Sequence, residues 1–193
     1  MKNFLVIIFF LSSGVNSVEA LPINSNLELT GSIVDIKNNS LSGIANLGSC
    51  SGSVIQFIDQ VDTEKAYLMT NGHCVGRFQP MGTAVFNKAT NRSFRVYNNK
   101  GRVFQVNSKL LLYATMTGTD VAFYELEQTL GEIKRVARVF VVDNIPPVTG
   151  DQLTVTSGKW GTSWTCKLEE TLFQLRESKW TWDESLALAA IIV

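Results

Sequence analysis

The chain has 193 residues, enough for one medium domain or two small ones around a buried core. Its 17 basic and 17 acidic residues cancel, which gives no support for nucleic acid or an anionic membrane surface as a partner. The apolar runs 4–11 and 185–193 both fall far short of the roughly 20 residues a spanning helix needs, so no stable membrane anchor is expected.

In chain order, Lys2 precedes the apolar run Phe4 to Leu11, and a polar stretch ends in Val18-Glu19-Ala20. A basic start, a short apolar core and small residues three and one before a cut make residues 1–20 a secretory signal peptide. A buried N-terminal strand is the alternative. Lys2 and Glu19 would leave together, so the balance of charge survives cleavage. The expected location is secreted, periplasmic or extracellular, an oxidising space that favours cysteine pairing. The chain holds 3 cysteines, Cys50, Cys74 and Cys166, and an odd number leaves one without a partner.

From Ser53 onward, short apolar and β-branched runs alternate with turn residues. They cover residues 53–58, 66–70, 83–86, 93–97, 102–106, 109–113, 121–126, 139–142 and 153–156. Strands at such spacing, bounded by Asn-Gly, Asn-Asn and Met-Gly pairs, define an all-β fold, a sandwich or a barrel. Gln128 to Val136 is the one helical turn predicted. Ile145-Pro146-Pro147 reads as a linker, because proline cannot donate to a strand ladder. The division is therefore 21–145 for a first unit and 146–193 for a second. The 4 tryptophans, Trp160, Trp164, Trp180 and Trp182, all lie beyond the linker. Trp180 and Trp182 alternate with polar neighbours and would share one strand face, as a half-buried surface or as a platform for stacking sugars.

His73 is the only histidine, and it follows the apolar strand in Tyr67-Leu68-Met69-Thr70-Asn71-Gly72-His73-Cys74. Imidazole is the one side chain whose ordinary pKa lies near neutrality, so a proton shuttle at physiological pH points to it. Asp120 opens the apolar run Val121 to Leu126, which would bury its carboxylate unless a donor met it. An imidazole N–H is a suitable donor. Cys50, His73 and Cys74 also raise the thought of a metal. Adjacent His and Cys side chains point apart on an extended chain, and no fourth ligand stands at finger spacing, so neither a metal nor a cofactor is expected.

Three segments together carry a resemblance: Cys50-Ser51-Gly52-Ser53, Thr70-Asn71-Gly72-His73-Cys74 and Thr119-Asp120-Val121-Ala122. They resemble the trypsin/chymotrypsin family of serine proteases, most closely its secreted bacterial trypsin-like and glutamyl-endopeptidase-like members. Asp120 follows His73 by 47 residues, against about 45 in the family. The resemblance implies a six-stranded antiparallel β-barrel over residues 21–145, an incomplete second barrel over 146–193 and a Cys50–Cys74 disulfide. It also implies His73 as general base, Asp120 as its orienting acid and a polypeptide as substrate.

The family order is His, Asp, Ser, with the serine in a Gly-x-Ser-Gly turn. Ser157, Ser163, Ser178 and Ser185 all lack that setting. The family interval would put the serine near position ~213, past Val193. Cys166 stands where the family often begins a second disulfide, and no later cysteine meets it. The expectation is therefore a serine endopeptidase by kinship whose present sequence lacks its nucleophile. A non-catalytic homologue acting as a binding or decoy module is the alternative.

Overall fold

A computed structural model describes residues 5–6, 41–76, 80 and 82–190. The expected signal peptide falls outside the described residues except for Leu5–Val6.

Eleven strands account for most of the described residues: β1 Leu5–Val6, β2 Ile44–Asn46, β3 Ser51–Gln56, β4 Lys65–Thr70, β5 Ala84–Tyr97, β6 Val103–Thr115, β7 Val121–Thr129, β8 Phe140–Val141, β9 Gln152–Ser157, β10 Thr162–Glu177 and β11 Trp180–Ala190. Hydrogen-bonded neighbours run β2–β5–β6–β7–β4–β3, and β3 pairs back with β2, so six antiparallel strands close a ring. Closure leaves those six without an open edge, while β8 adds in parallel beside β3. The alternation read from the sequence explains the inside of the ring. Ala66, Leu68 and Thr70 of β4 are buried, as are Ala122, Tyr124 and Leu126 of β7, while their neighbours are more exposed. With Val54, Phe94, Val96, Val106 and Leu111, the apolar ones among them form one core cluster. Each large apolar side chain buried there stabilises by about 1.5–3 kcal/mol relative to exposure.

A single helical turn, α1 Leu130–Lys134, plugs one end of the ring with Leu130 and Ile133. Thr129 caps it: the Glu132 N–H donates to Thr129 Oγ1 at 3.3 Å, and the Thr129 N–H donates back to Glu132 Oε2 at 2.7 Å. That reciprocal bond holds the Glu132 carboxyl below the usual carboxylate range. No helix among the described residues is long and apolar enough to cross a membrane.

The structure differs from the sequence reading in strand length. Runs 83–86 and 93–97 belong to one 14-residue strand, β5, and runs 102–106 and 109–113 to one of 13 residues, β6. The polar residues between them are not turns. Asn87 takes a left-handed φ of 45°, and the β5–β6 register shifts between Ala89 and Arg92, so a bulge absorbs the break.

The second sheet is open, in the order β1–β9–β10–β11. Leu5–Val6 pairs in parallel with Thr154 and Val155. β10 and β11 form a long hairpin, and the rings of Trp180 and Trp182 lie stacked at 6.5 Å and 5° on one face. The two sheets meet through small residues. Asn46 Nδ2 donates to the Gly158 carbonyl at 2.8 Å, Ser51 Oγ lies 3.1 Å from Ser157 Oγ, and the Lys159 N–H donates to Ser51 Oγ at 3.0 Å.

A Cβ on Gly158 would stand 2.1 Å from the Ala45 carbonyl oxygen, which is backbone and cannot swing aside. Gly158→Ala is therefore expected to destabilise the joint by about 1–3 kcal/mol, the usual cost of overpacking. All 4 tryptophans lie after residue 158, so a urea melt followed by tryptophan fluorescence reads the affected sheet. An unchanged midpoint would contradict this account of the joint.

Candidate active site

Pairing between β4 and β7 sets Thr70 opposite Ala122. The chain leaving β4 and the chain entering β7 therefore sit side by side. Residues Gly72–Val75 make a 3₁₀ turn, preceded by extended Asn71 and closed by Gly76 at φ 109°. Gly72 has to be glycine because a Cβ there would lie 1.9 Å from the Thr115 carbonyl oxygen and 3.1 Å from Asp120 Oδ1. That close approach presses the turn against the end of β6 and the head of β7.

The Asp120 carboxylate gathers three donors from the turn. The His73 backbone N–H donates to Oδ1 at 2.9 Å, His73 Nδ1–H to Oδ2 at 2.6 Å, and Asn71 Nδ2 to Oδ2 at 3.1 Å. A carboxylate oxygen accepts, so this contact places the ring proton on Nδ1 and makes Nε2 the acceptor of the pair. Both side chains are largely withdrawn from water, with 15% and 17% of their surface exposed, where an ionic hydrogen bond is screened less than at the surface.

Cys74, next to the histidine, is bonded to Cys50 across 6.1 Å between Cα atoms. The disulfide closes a 24-residue separation and contributes about 3 kcal/mol on the chain-entropy account. Thr70 Oγ1 adds a bond to the Ser51 carbonyl at 2.7 Å, and Arg92 Nη1 donates to the Cys74 carbonyl at 2.6 Å and to the Tyr124 hydroxyl at 3.1 Å. Three strands thus grip one turn.

The structure brings His73, Asp120, Cys50 and Cys74 together. The four late serines all lie in the second sheet or in its hairpin turn. Ser157 Oγ faces Ser51, Ser163 Oγ lies 2.9 Å from Thr156 Oγ1, Ser178 occupies the β10–β11 turn at φ 54°, and Ser185 pairs with Leu172 along the hairpin. Cys166 is buried on β10 as a free thiol, and burial pushes its pKa up.

The turn also corrects one expectation. His73 and Cys74 do not point apart, because their backbone is 3₁₀ rather than extended. Cys50 Sγ, Cys74 Sγ and the His73 ring present ligand atoms within 4.8 Å of one another. Sequence reasoning also missed Asn71 and Arg92. Arg92 stands among the polar residues of a mostly exposed strand, so nothing in the sequence singled it out.

Comparison of the chain with family models, with curated proteins and with solved structures finds no match in any of the three.

Two outcomes follow from this geometry. Gly72→Ala is expected to lower stability by about 1–3 kcal/mol through overpacking, and to abolish the low-field NMR signal of the bonded Nδ1 proton. With one imidazole in the chain that signal has a single source, and its persistence in the variant would refute the packing argument. Cys166 has less thiolate at neutral pH than an ordinary cysteine, because its pKa is raised. Iodoacetamide should therefore label it slowly in the native chain, faster as pH rises, and fast once denatured. Rapid labelling at neutral pH would show that burial to be wrong.

Proposed function

We propose that this chain carries the general-base half of a serine endopeptidase, with His73 as the base and Asp120 as the acid that orients it. The observation that supports the reading is one carboxylate held simultaneously to the backbone N–H and the ring Nδ1 of the same histidine. In the triad mechanism that contact fixes the tautomer and stabilises the imidazolium. The opposite nitrogen takes the serine proton and later returns it to the leaving amine. The resemblance to trypsin-like proteases supplies the reaction class, hydrolysis of peptide bonds in a polypeptide. On this reading the closed ring is the first barrel of a chymotrypsin-like fold and the open sheet is part of a second. The leader-like start and the disulfide agree with export to an oxidising compartment.

The Gly-x-Ser-Gly turn of the family does not occur among these 193 residues. Losing the serine of a triad costs about 10⁶ in turnover, roughly 8 kcal/mol of barrier. A polypeptide of these 193 residues is accordingly expected to leave casein intact and to take up no fluorophosphonate. The engagement of Ser157 and Ser163 with other hydroxyls favours a second reading, a non-catalytic binding or decoy module that keeps the dyad's geometry.

His73 is the only histidine, so acylation by diethyl pyrocarbonate, followed in the ultraviolet, reports one ring. Asp120→Asn should slow that reaction several-fold, because an amide no longer holds the proton on Nδ1 and supports charge at Nε2. Equal rates in both proteins would remove the dyad. Casein turnover abolished by His73→Ala would instead keep the dyad and overturn the forecast of silence.

A further inference from the structure

We propose that reduction of the Cys50–Cys74 disulfide turns the same turn into a binding site for a zinc-like divalent ion, held by both thiolates and His73 Nε2. The site needs only the geometry of the pair and not its proteolytic role.

The first ground is distance. Cys50 Sγ lies 3.9 Å from His73 Nε2, and all three ligand atoms fall within 4.8 Å of one another. Around a tetrahedral zinc, with Zn–S about 2.3 Å and Zn–N about 2.0 Å, sulfur and nitrogen stand about 3.6 Å apart and the two sulfurs about 3.8 Å. The Cys50 Sγ–Nε2 spacing of 3.9 Å already approaches the first of those values, and the sulfurs become free to separate once their bond is cut.

The second ground is the group behind the imidazole. Metal-bound histidines donate their other ring N–H to a carboxylate or carbonyl, which orients the ring and raises its basicity. Asp120 Oδ2 stands in that position at 2.6 Å from Nδ1. A sulfur-rich set with one imidazole selects zinc or a similar soft ion over calcium or magnesium, and three protein ligands leave the fourth position to water.

The chemistry balances. A dithiol reductant gives two electrons and two protons to the disulfide, leaving Cys50 and Cys74 as thiols and becoming a disulfide itself. The metal ion then displaces those two protons and binds neutral His73 through Nε2. Metal and proton would compete for one nitrogen, so a loaded chain has no general base.

The test is a titration of the full chain with Co²⁺, anaerobically, after reduction with a phosphine that does not bind metal. The reduced protein is expected to take one Co²⁺ with thiolate charge-transfer and tetrahedral visible bands, bleached by Zn²⁺, while the oxidised protein gives none. Cys74→Ser and His73→Ala should lose the spectrum, and Cys166→Ser should keep it. Asp120→Asn should weaken affinity about 10–100-fold, as loss of a group supporting a ligand does. That arm also separates a folded site from chelation by unfolded chain, which would not sense residue 120. Circular dichroism on the same samples reports the fold. Equal binding in the oxidised chain, no binding in the reduced chain, or indifference to Asp120→Asn would each overturn the proposal.

Discussion

The site depends on the carboxylate of Asp120 and on where the sheet puts it. β4 and β7 pair so that Met69 faces Phe123 and Thr70 faces Ala122. The next residues along the two chains, beyond the last pair, are those that must meet. Because side chains alternate with a period of two, a slip of one residue would turn either Leu68 of β4 or Tyr124 and Leu126 of β7 out of the core. The register that places the histidine opposite the aspartate is thus the one that burial enforces. Core packing positions the pair, and the pair itself need not supply the energy that holds the strands together.

What the core cannot do is fix the turn to within a fraction of an ångström, and that task falls to local contacts. Gly72 permits the backbone to approach Thr115, the disulfide ties the far side of the turn to β3, and Arg92 holds the Cys74 carbonyl from β5. The guanidinium of Arg92 also lies 5.4 Å from the Phe94 ring centre and 5.8 Å from that of Tyr124, which secures its own position. Precision of this kind matters for a base, since a displacement of about 1 Å can cost 10²-fold in rate.

The parts legible in the sequence were those that rest on rare residue types or on a simple period. A single histidine beside a cysteine, an aspartate at the head of an apolar run and the alternation of β4 and β7 could all be read directly. The length of β5 could not. Asn87 and the Asn91-Arg92 pair look like turn punctuation, and only pairing with β6 turns them into a bulge within one strand. The β10–β11 hairpin was hidden for a similar reason. Its residues 169–177 lack a clean alternation, and its existence rests on cross-strand pairing from Cys166–Ala190 to Glu177–Trp180. The 3₁₀ turn at residues 72–75 was missed because an Asn-Gly pair followed by His-Cys does not distinguish an extended exit from a tight one.

The second sheet touches the first beside both chains that make the site. Ser51, which bonds to Ser157 and accepts from the Lys159 N–H, adjoins Cys50. Gly118, two residues before Asp120, accepts from the Asp183 N–H at 2.8 Å, and a Cβ on it would lie 2.2 Å from Asp183 Oδ2. Gly118 sits at φ 69°, so both its conformation and its neighbour require glycine there. One sheet therefore carries His73 and Asp120, while the other braces the segments that lead to them. Movement of the β10–β11 hairpin would act on the loop before Asp120, and through the carboxylate on the imidazole, even though the hairpin adds no side chain to the pair.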